Sequence, residues 1–288
     1  MSSILPISMV CELARTLPCA PALLPKLIAL LSDPEKANAK EMESLIMRDP
    51  GLATSVLRFA NSAFFSRTFP CETVGDAVMR IGFRQVYRIA ASSIAGRWLI
   101  NQPQGYGWEP GDLYKHSLCV GVSVEHLAKK TKQVPEELAY TSGLLHDVGK
   151  LALAHACADH FESIRSYQEI KQVSWRQAEH TILGYDHTEI GGVLMEEWGY
   201  PASLVQVARF YPRPSLATPD QRLLVGHVHA AKHLATLLGY GVGEDGFHTE
   251  LDEAVLKECG ITEELLEELL PSVVKDAEKL IAAGMGTE

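Results

Sequence analysis

The sequence has few aromatic residues, no paired cysteines and no long apolar run. Aromatic residues make up only 7% of the 288 positions, and no apolar stretch approaches the roughly 20 residues that a membrane span needs. The six cysteines are scattered without a CxxC pair, which favours free thiols in a reducing compartment over a disulfide framework. The N-terminus lacks the basic start and cleavage site of a signal peptide. These absences predict a cytoplasmic protein that does not enter a membrane.

Charge is also unevenly distributed. The net charge is -10; residues 1–101 hold 11 basic against 8 acidic residues, and the remainder holds 15 against 28. An acidic chain disfavours electrostatically driven binding to nucleic acid. Arg84 and Arg88 are four residues apart, so on a helix they share a face. They are candidates for a local anion contact, and a solvated helix face is the alternative.

The remaining patterns are typical of helices. Asp49-Pro50 is a helix start, with Asp49 as N-cap and Pro50 at the first helical position. Gly82 divides one apolar stretch into a short and a long helix. Asp186 and Glu189 have the spacing of a capping box. No alternating apolar and polar series indicates strands, so we expect an all-α fold.

The Gly- and Pro-rich stretch 101–112 is the best linker candidate. It separates the basic first third from the acidic rest. We therefore predict an N-terminal helical subdomain at residues 1–105, a second helical subdomain at 106–240, and an acidic helical tail at 241–288. An interruption of the tail helix is expected at Pro271.

The most informative pair is His146-Asp147, within the apolar run GLLHDVGK. Imidazole nitrogen beside carboxylate oxygen suits Fe, Mn, Zn or Ni, and the carboxylate also suits Mg. His116 belongs to an apolar helical stripe and should point inward with it. His187 is a weaker ligand candidate, because its place in the first turn of a capped helix explains it equally well. A polar cluster between helices, without metal, is the alternative for all of them.

GLLHDVGKLAL resembles the signature of the HD superfamily of metal-dependent phosphohydrolases. Three further segments, LPKLIALLSD, LIMRDPGLATSVLRFANSAFF and VGDAVMRIGFRQV, resemble the opening of HDOD domains, an HD-related output family of bacterial signalling proteins. KHSLCVG and GYDHTEIGGVLMEEWGYP continue the pattern in the family's order. The resemblance implies two packed helical subdomains, the C-terminal one an HD-domain-like bundle.

The resemblance also implies ligand positions, and it carries over only in part. His116 matches the first metal-ligand histidine, His146 and Asp147 match the HD pair, and His187 matches a later histidine of the multinuclear HD-GYP branch. The paired histidines of that branch would fall near residues 209–211 and are absent. The closing aspartate falls near Lys232, whose ammonium would repel a cation. In another helix register, His229 or His233 would take that place.

Two functions follow from this incomplete set. The first is a non-catalytic regulatory HDOD module that binds a signalling protein partner or a small, nucleotide-type ligand. Its contact loop would be Phe64-Phe65 with Arg67 and Phe69, unless those rings pack inside. The second is a metal-dependent phosphohydrolase acting on a nucleotide or cyclic dinucleotide, supported by His116, His146 and Asp147.

Overall fold

A computed structural model describes residues 4–14, 23–32, 39–62, 70–100, 105–240 and 251–285. Helices follow one another throughout these ranges and no strand occurs in them, which confirms the all-α prediction. None of the helices in these ranges is long and apolar enough to span a membrane. The predicted contact loop at residues 64–69 lies outside the described residues.

The first part of the chain is built from short helices and ends in a longer one. Asp49 caps its helix by accepting a hydrogen bond from the amide of Leu52, as predicted, and Gly82, at a φ of 86°, separates two helices. The helices are α1 (Ile7–Ala14), α2 (Leu24–Ser32), α3 (Ala39–Ile46), α4 (Pro50–Ala60), α5 (Val74–Ile81) and α6 (Phe83–Leu99).

The second part begins with the long helix that carries His116. The predicted capping box at Asp186 is present, since its side chain accepts from two backbone amides and Glu189 accepts from the Asp186 amide. The helices are α7 (Asp112–Thr131), α8 (Glu136–Leu145), α9 (Val148–Ala156), α10 (Phe161–Lys171), α11 (Trp175–Leu183), α12 (His187–Glu197), α13 (Ala202–Phe210), α14 (Arg222–Leu237), α15 (Glu253–Glu258) and α16 (Glu263–Met285).

Two apolar cores hold these helices together. The larger core joins α2–α8 to α13, α14 and α16, and the smaller one joins α1 to α9–α12. The first helix therefore packs on α9 and α12, which lie far from it in the sequence. The hydroxyl of Tyr185 also donates to the carbonyl of Leu5, at 2.7 Å, just before α1. The division into subdomains at residues 105 and 240 stays a prediction.

Close helix contacts at glycines bring the central helices together. A Cβ on Gly143 would lie 2.8 Å from the Cα of Gly121, so α7 and α8 touch through their backbones. A Cβ on Gly149 would overlap the carbonyl oxygen of His187 and lie 2.6 Å from the amide nitrogen of Gly191. The start of α9 is thus held directly against α12.

The expected interruption of the tail helix at Pro271 is wrong. Helix α16 runs through Pro271 without a break. Proline removes one backbone hydrogen bond from a helix interior, but an apolar stripe continues on both sides of it and packs on α7. The stripe consists of Leu266, Leu269, Val273, Ala277 and Leu280, all buried. Burying these side chains outweighs the lost hydrogen bond.

Candidate functional site

The structure brings His116, His146 and Asp147 together at the junction of α7, α8 and α9. His146 follows the last residue of α8 and Asp147 is the residue before α9. Asp147 Oδ2 lies 3.6 Å from His116 Nε2 and 3.4 Å from His146 Nε2. All three residues are buried. One nitrogen or oxygen atom from each residue could therefore contact the same metal ion.

Hydrogen bonds at the far nitrogen fix the orientation of both imidazoles. His116 Nδ1 lies 3.0 Å from the carbonyl oxygen of Tyr240, and His146 Nδ1 lies 2.6 Å from that of Gly143. A carbonyl only accepts, so each Nδ1 carries a hydrogen and each Nε2 is the nitrogen that faces Asp147. Among the described residues, neither Nε2 has a hydrogen-bond partner. Histidines that bind metals are oriented in this way.

Burial and neighbouring charges set the protonation states. Burial, together with the nearby His146, lowers the pKa of His116 to about 3, so His116 is neutral at physiological pH. Burial alone would raise the pKa of Asp147, but His146 and Lys150 outweigh it and hold that pKa well below its ordinary value. The site thus pairs an ionised carboxylate with neutral His116.

Lys150 is the functional residue that the sequence reasoning missed. Its ammonium donates to Asp147 Oδ2 at 2.7 Å, the same oxygen that both imidazoles face. The ammonium also lies 4.9 Å from the ring centroid of Trp108 and 5.7 Å from that of Tyr106. The available signal was a lysine three residues after Asp147 in an otherwise apolar helix, since a buried lysine requires a partner.

His187 lies behind the site and not within it. Its Nε2 is 2.9 Å from the hydroxyl of Tyr211, and that hydroxyl donates to Asp147 Oδ1 at 2.6 Å. Its Nδ1 is 2.6 Å from Glu179 Oε2. Both ring nitrogens are therefore engaged, and the structure does not bring His187 into the cluster with the other three candidates. Tyr211, in the region where the paired histidines are absent, connects His187 to Asp147.

Lys232 faces the site from α14, where the sequence analysis expected the closing position of the ligand set. It is buried, its ammonium lies 5.5 Å from the ring centroid of Tyr211, and its charge lowers the pKa of Asp147. His229 does not take its place. His229 Nδ1 donates to the carbonyl of Tyr211 at 2.8 Å and Nε2 accepts from the amide of Asp252 at 3.1 Å. His233 is not part of the cluster among the residues that the structure describes.

The two predicted anion-binding arginines are both in ion pairs. Arg84 contacts Glu136 at 3.1 Å and Glu137 at 2.5 Å. Arg88 Nη2 lies 3.1 Å from Glu125. These contacts join α6 to α7 and α8, which gives both side chains a structural role. Anion binding by Arg84 and Arg88 stays a prediction.

Comparison with known proteins identifies the family. The sequence profile of the HDOD domain matches residues 17–214, more than two thirds of the chain. The chain belongs to the HDOD family. An HDOD domain protein of unknown function from Geobacter sulfurreducens has the same fold, with a TM-score of 0.74 at 22% identity over 96% of this chain and 99% of the other.

Two further proteins extend the comparison. A Marinobacter aquaeolei VT8 protein, provisionally named as a signal-transduction protein, is 27% identical with a TM-score of 0.75, over 94% of this chain and 60% of the other. An uncharacterised protein of Treponema pallidum is 25% identical over 213 residues, which is 74% of this chain and 40% of that relative. The chain thus spans less than half the length of this curated relative.

The ligand atoms that this HDOD chain offers at the site are of the types that bind divalent transition metals. Two imidazole nitrogens and one carboxylate oxygen are ligands that Zn, Fe, Mn and Ni accept. The unpartnered Nε2 atoms of His116 and His146 are the observation that supports this fit. Lys150 counts against metal binding, because its ammonium is already bound to the Asp147 oxygen that lies between the two imidazoles.

Proposed function

We propose that this HDOD chain is a regulatory signal-transduction module whose buried pocket binds a ligand without hydrolysing it. The residues proposed to line this pocket are His116, His146, Asp147, Lys150 and Lys232. The observation that carries the proposal is the position of the Lys150 ammonium, 2.7 Å from Asp147 Oδ2. That oxygen would have to bind the metal of a hydrolytic site, and here it is neutralised by a residue of the chain.

Electrostatic repulsion supports a regulatory role over hydrolysis. An ammonium about 4 Å from a divalent cation is repelled by about 8 kcal/mol at an effective dielectric constant near 20. Lys150 would therefore have to leave its buried position before a metal could use Asp147. Lys232 adds a second positive charge on the facing helix. Moving these two ammonium groups away from Asp147 costs free energy. A dedicated metal site does not have this cost.

The name of one relative supports a signalling role. The provisional name of the Marinobacter protein is that of a signal-transduction protein. We infer that the chain acts through a protein partner and that occupancy of the pocket changes its affinity for that partner. Such coupling requires the ligand to bind the two states of the module with different affinity.

A turnover assay tests this proposal. Purified protein is incubated with nucleoside mono- and diphosphates and cyclic dinucleotides, with Mn²⁺ or Fe²⁺ added. We expect no hydrolysis above that of a His146→Gln variant. His155→Gln, which changes an exposed histidine of α9, is the matched control. Hydrolysis that persists in His155→Gln and disappears in His146→Gln would refute a binding-only role.

A metal-dependent phosphohydrolase is the second candidate. It is favoured by one specific observation, the two imidazoles anchored at Nδ1 with unpartnered Nε2 atoms. His116, His146 and Asp147 would hold the ion, which supplies a hydroxide nucleophile by lowering the pKa of a bound water. Elemental analysis separates the candidates: stoichiometric metal that is lost in His116→Gln supports the hydrolase.

A further inference from the structure

Helix α6 contacts α7 and α8 through polar side chains from successive turns. They are Arg84, Tyr87, Arg88 and Ser92. The two arginines pair with glutamates of α8 and α7, and the other two side chains hydrogen-bond to hydroxyls of α8. This polar contact, the α6 interface, joins the first part of the chain to the helices that lead to the candidate site. Helix α7 carries His116, and α8 ends directly before His146.

Glu125 of α7 is the carboxylate enclosed in this interface. Its side chain is 15% exposed, as is that of Arg88, so both are largely removed from solvent. Arg88 Nη2 lies 3.1 Å from Glu125 Oε2, but neither Nη2 nor Nε has a hydrogen-bond partner among the described residues. The guanidinium lies over the ring of Tyr140, 5.3 Å from its centroid. Arg88 therefore compensates a negative charge on Glu125 only in part.

Two carboxylates of α8 act on Glu125 from one side. Glu136 and Glu137, in the first turn of α8, are near enough to disfavour the ionised form of Glu125. Arg84 pairs with both of them, but its side chain is 65% exposed, so solvent screens its positive charge. Like charges close to a buried carboxyl group favour its protonated form.

A third carboxylate, Asp276 of α16, also disfavours the ionised form of Glu125. Asp276 pairs with Lys279 at 3.1 Å and with His126, the residue next to Glu125, at 3.1 Å. Burial lowers the pKa of His126, so its imidazole offers little positive charge at neutral pH, and Lys129 on the same helix is exposed. In the part of the chain that the structure describes, Glu125 thus faces three carboxylates and one largely buried guanidinium.

We propose that the α6 interface is a proton-sensitive contact, in which α6 packs firmly on α7 and α8 while Glu125 is protonated and opens locally when Glu125 ionises. The protonated group is tolerated in these surroundings. The ionised group needs hydrogen bonds that Arg88 does not provide in its present position, so water must enter between the helices to supply them. This regulation by pH goes beyond the proposed function and does not depend on what the pocket binds.

The direction of the effect follows from the pKa of Glu125. Burial raises that pKa to about 7 from an ordinary value of 4.5, with the neighbouring carboxylates outweighed only in part by Arg88. In the opened interface the group reaches water and ionises near its ordinary value. The closed interface therefore holds a proton that the open one releases, and it loses this advantage as the pH rises from 4.5 through 7. Between pH 5.5 and 8.5 the equilibrium constant for opening should rise by up to about 30-fold.

Amide hydrogen exchange of the full chain, corrected for the intrinsic rate at each pH, tests this inference. We expect the protection of amides in α6 and α8 to fall by about 10- to 30-fold between pH 5.5 and 8.5. Amides of α11, which packs in the smaller core, should change by less than about 3-fold if the opening is local. Glu125→Gln keeps the shape of the protonated side chain and should abolish the change. Glu267→Gln, which alters an exposed glutamate of α16, should preserve it.

Two charge variants should move the transition in opposite directions. Arg88→Gln removes the cation that favours ionised Glu125 and should shift the transition to higher pH, whereas Glu137→Gln removes a neighbouring carboxylate and should shift it to lower pH. In protein shown to be folded by circular dichroism, three results would overturn the inference. They are a pH dependence that persists in Glu125→Gln, an equal change in α6 and α11, and shifts of the same sign in the two charge variants.

Discussion

The facing glycines of α9 and α12 permit a sharp prediction about stability. Gly149→Ala places a methyl group against two backbone atoms, the carbonyl oxygen of His187 and the amide nitrogen of Gly191, the latter at 2.6 Å. Ordinary van der Waals contact begins near 3.4 Å, and backbone atoms cannot rotate away as a side chain can. The two helices must therefore separate by roughly 1 Å in a close-packed interior.

The cost follows from the size of this overlap. Overpacking a well-packed core typically costs about 1–3 kcal/mol, and a clash with backbone belongs at the upper end. Gly149 is the second residue of α9, so the gain in helix propensity there is small. We expect Gly149→Ala to lower the free energy of unfolding by about 2–3 kcal/mol. The displaced helix also carries His187, which is connected to Asp147 through the hydroxyl of Tyr211, so the position of Asp147 should be disturbed as well.

Gly191→Ala is the matched control on the opposite helix. A Cβ there would meet its nearest neighbour at 3.4 Å, an ordinary contact. Gly191 lies inside α12, where alanine is favoured over glycine by up to about 1 kcal/mol. Urea unfolding followed by circular dichroism compares the two variants. The reasoning fails if Gly149→Ala is as stable as the wild-type protein, or if Gly191→Ala is the more damaged of the two.

Two further predictions concern charge and capping. Burial raises the pKa of Glu125 to about 7 despite the neighbouring Arg88. Between pH 4.5 and 7 the folded protein therefore retains a proton that the unfolded chain releases, so the free energy of unfolding falls as the pH rises through this range. Glu125→Gln should reduce this change in the free energy of unfolding by up to about 3 kcal/mol. Parallel pH profiles of unfolding for the wild-type protein and Glu125→Gln would contradict this prediction. Asp186→Ala removes the α12 cap and should cost about 1–2 kcal/mol. The exposed Glu169→Ala of α10 should cost less than about 0.5 kcal/mol, and equal urea midpoints for the two variants would argue against the cap.

Local sequence signals predicted the features that depend on near neighbours. The caps at Asp49 and Asp186 and the break at Gly82 are set within a few residues, so a pattern reveals them. The convergence of His116 with His146 and Asp147 was also predicted, because an inward stripe and a signature run both indicated buried ligands. Helical spacing indicated only that His116 points inward, and the grouping of the three residues was implied by the resemblance to the HD signature.

Features that depend on distant pairing were not predicted. Tyr211 and Glu179 reach the site only through contacts between helices that are far apart in the chain, and no periodicity encodes those contacts. Pro271 was expected to break its helix because the intrinsic cost of proline is local, whereas the packing of α16 on α7 that outweighs it is not. Lys150 was visible in the sequence, but its partner at Asp147 became clear only from the geometry.

The packing of α1 has a consequence for synthesis on the ribosome. Helix α1 ends at residue 14, and its partner α12 ends at residue 197. At roughly 5–20 residues per second, α1 leaves the ribosome about 10–40 s before α12 is complete. For most of that interval, until α9 has also been made, the buried face of α1, which includes Val10 and Cys11, has no native partner and is available to chaperones. The smaller core can therefore close only late in translation, after most of the larger core has emerged.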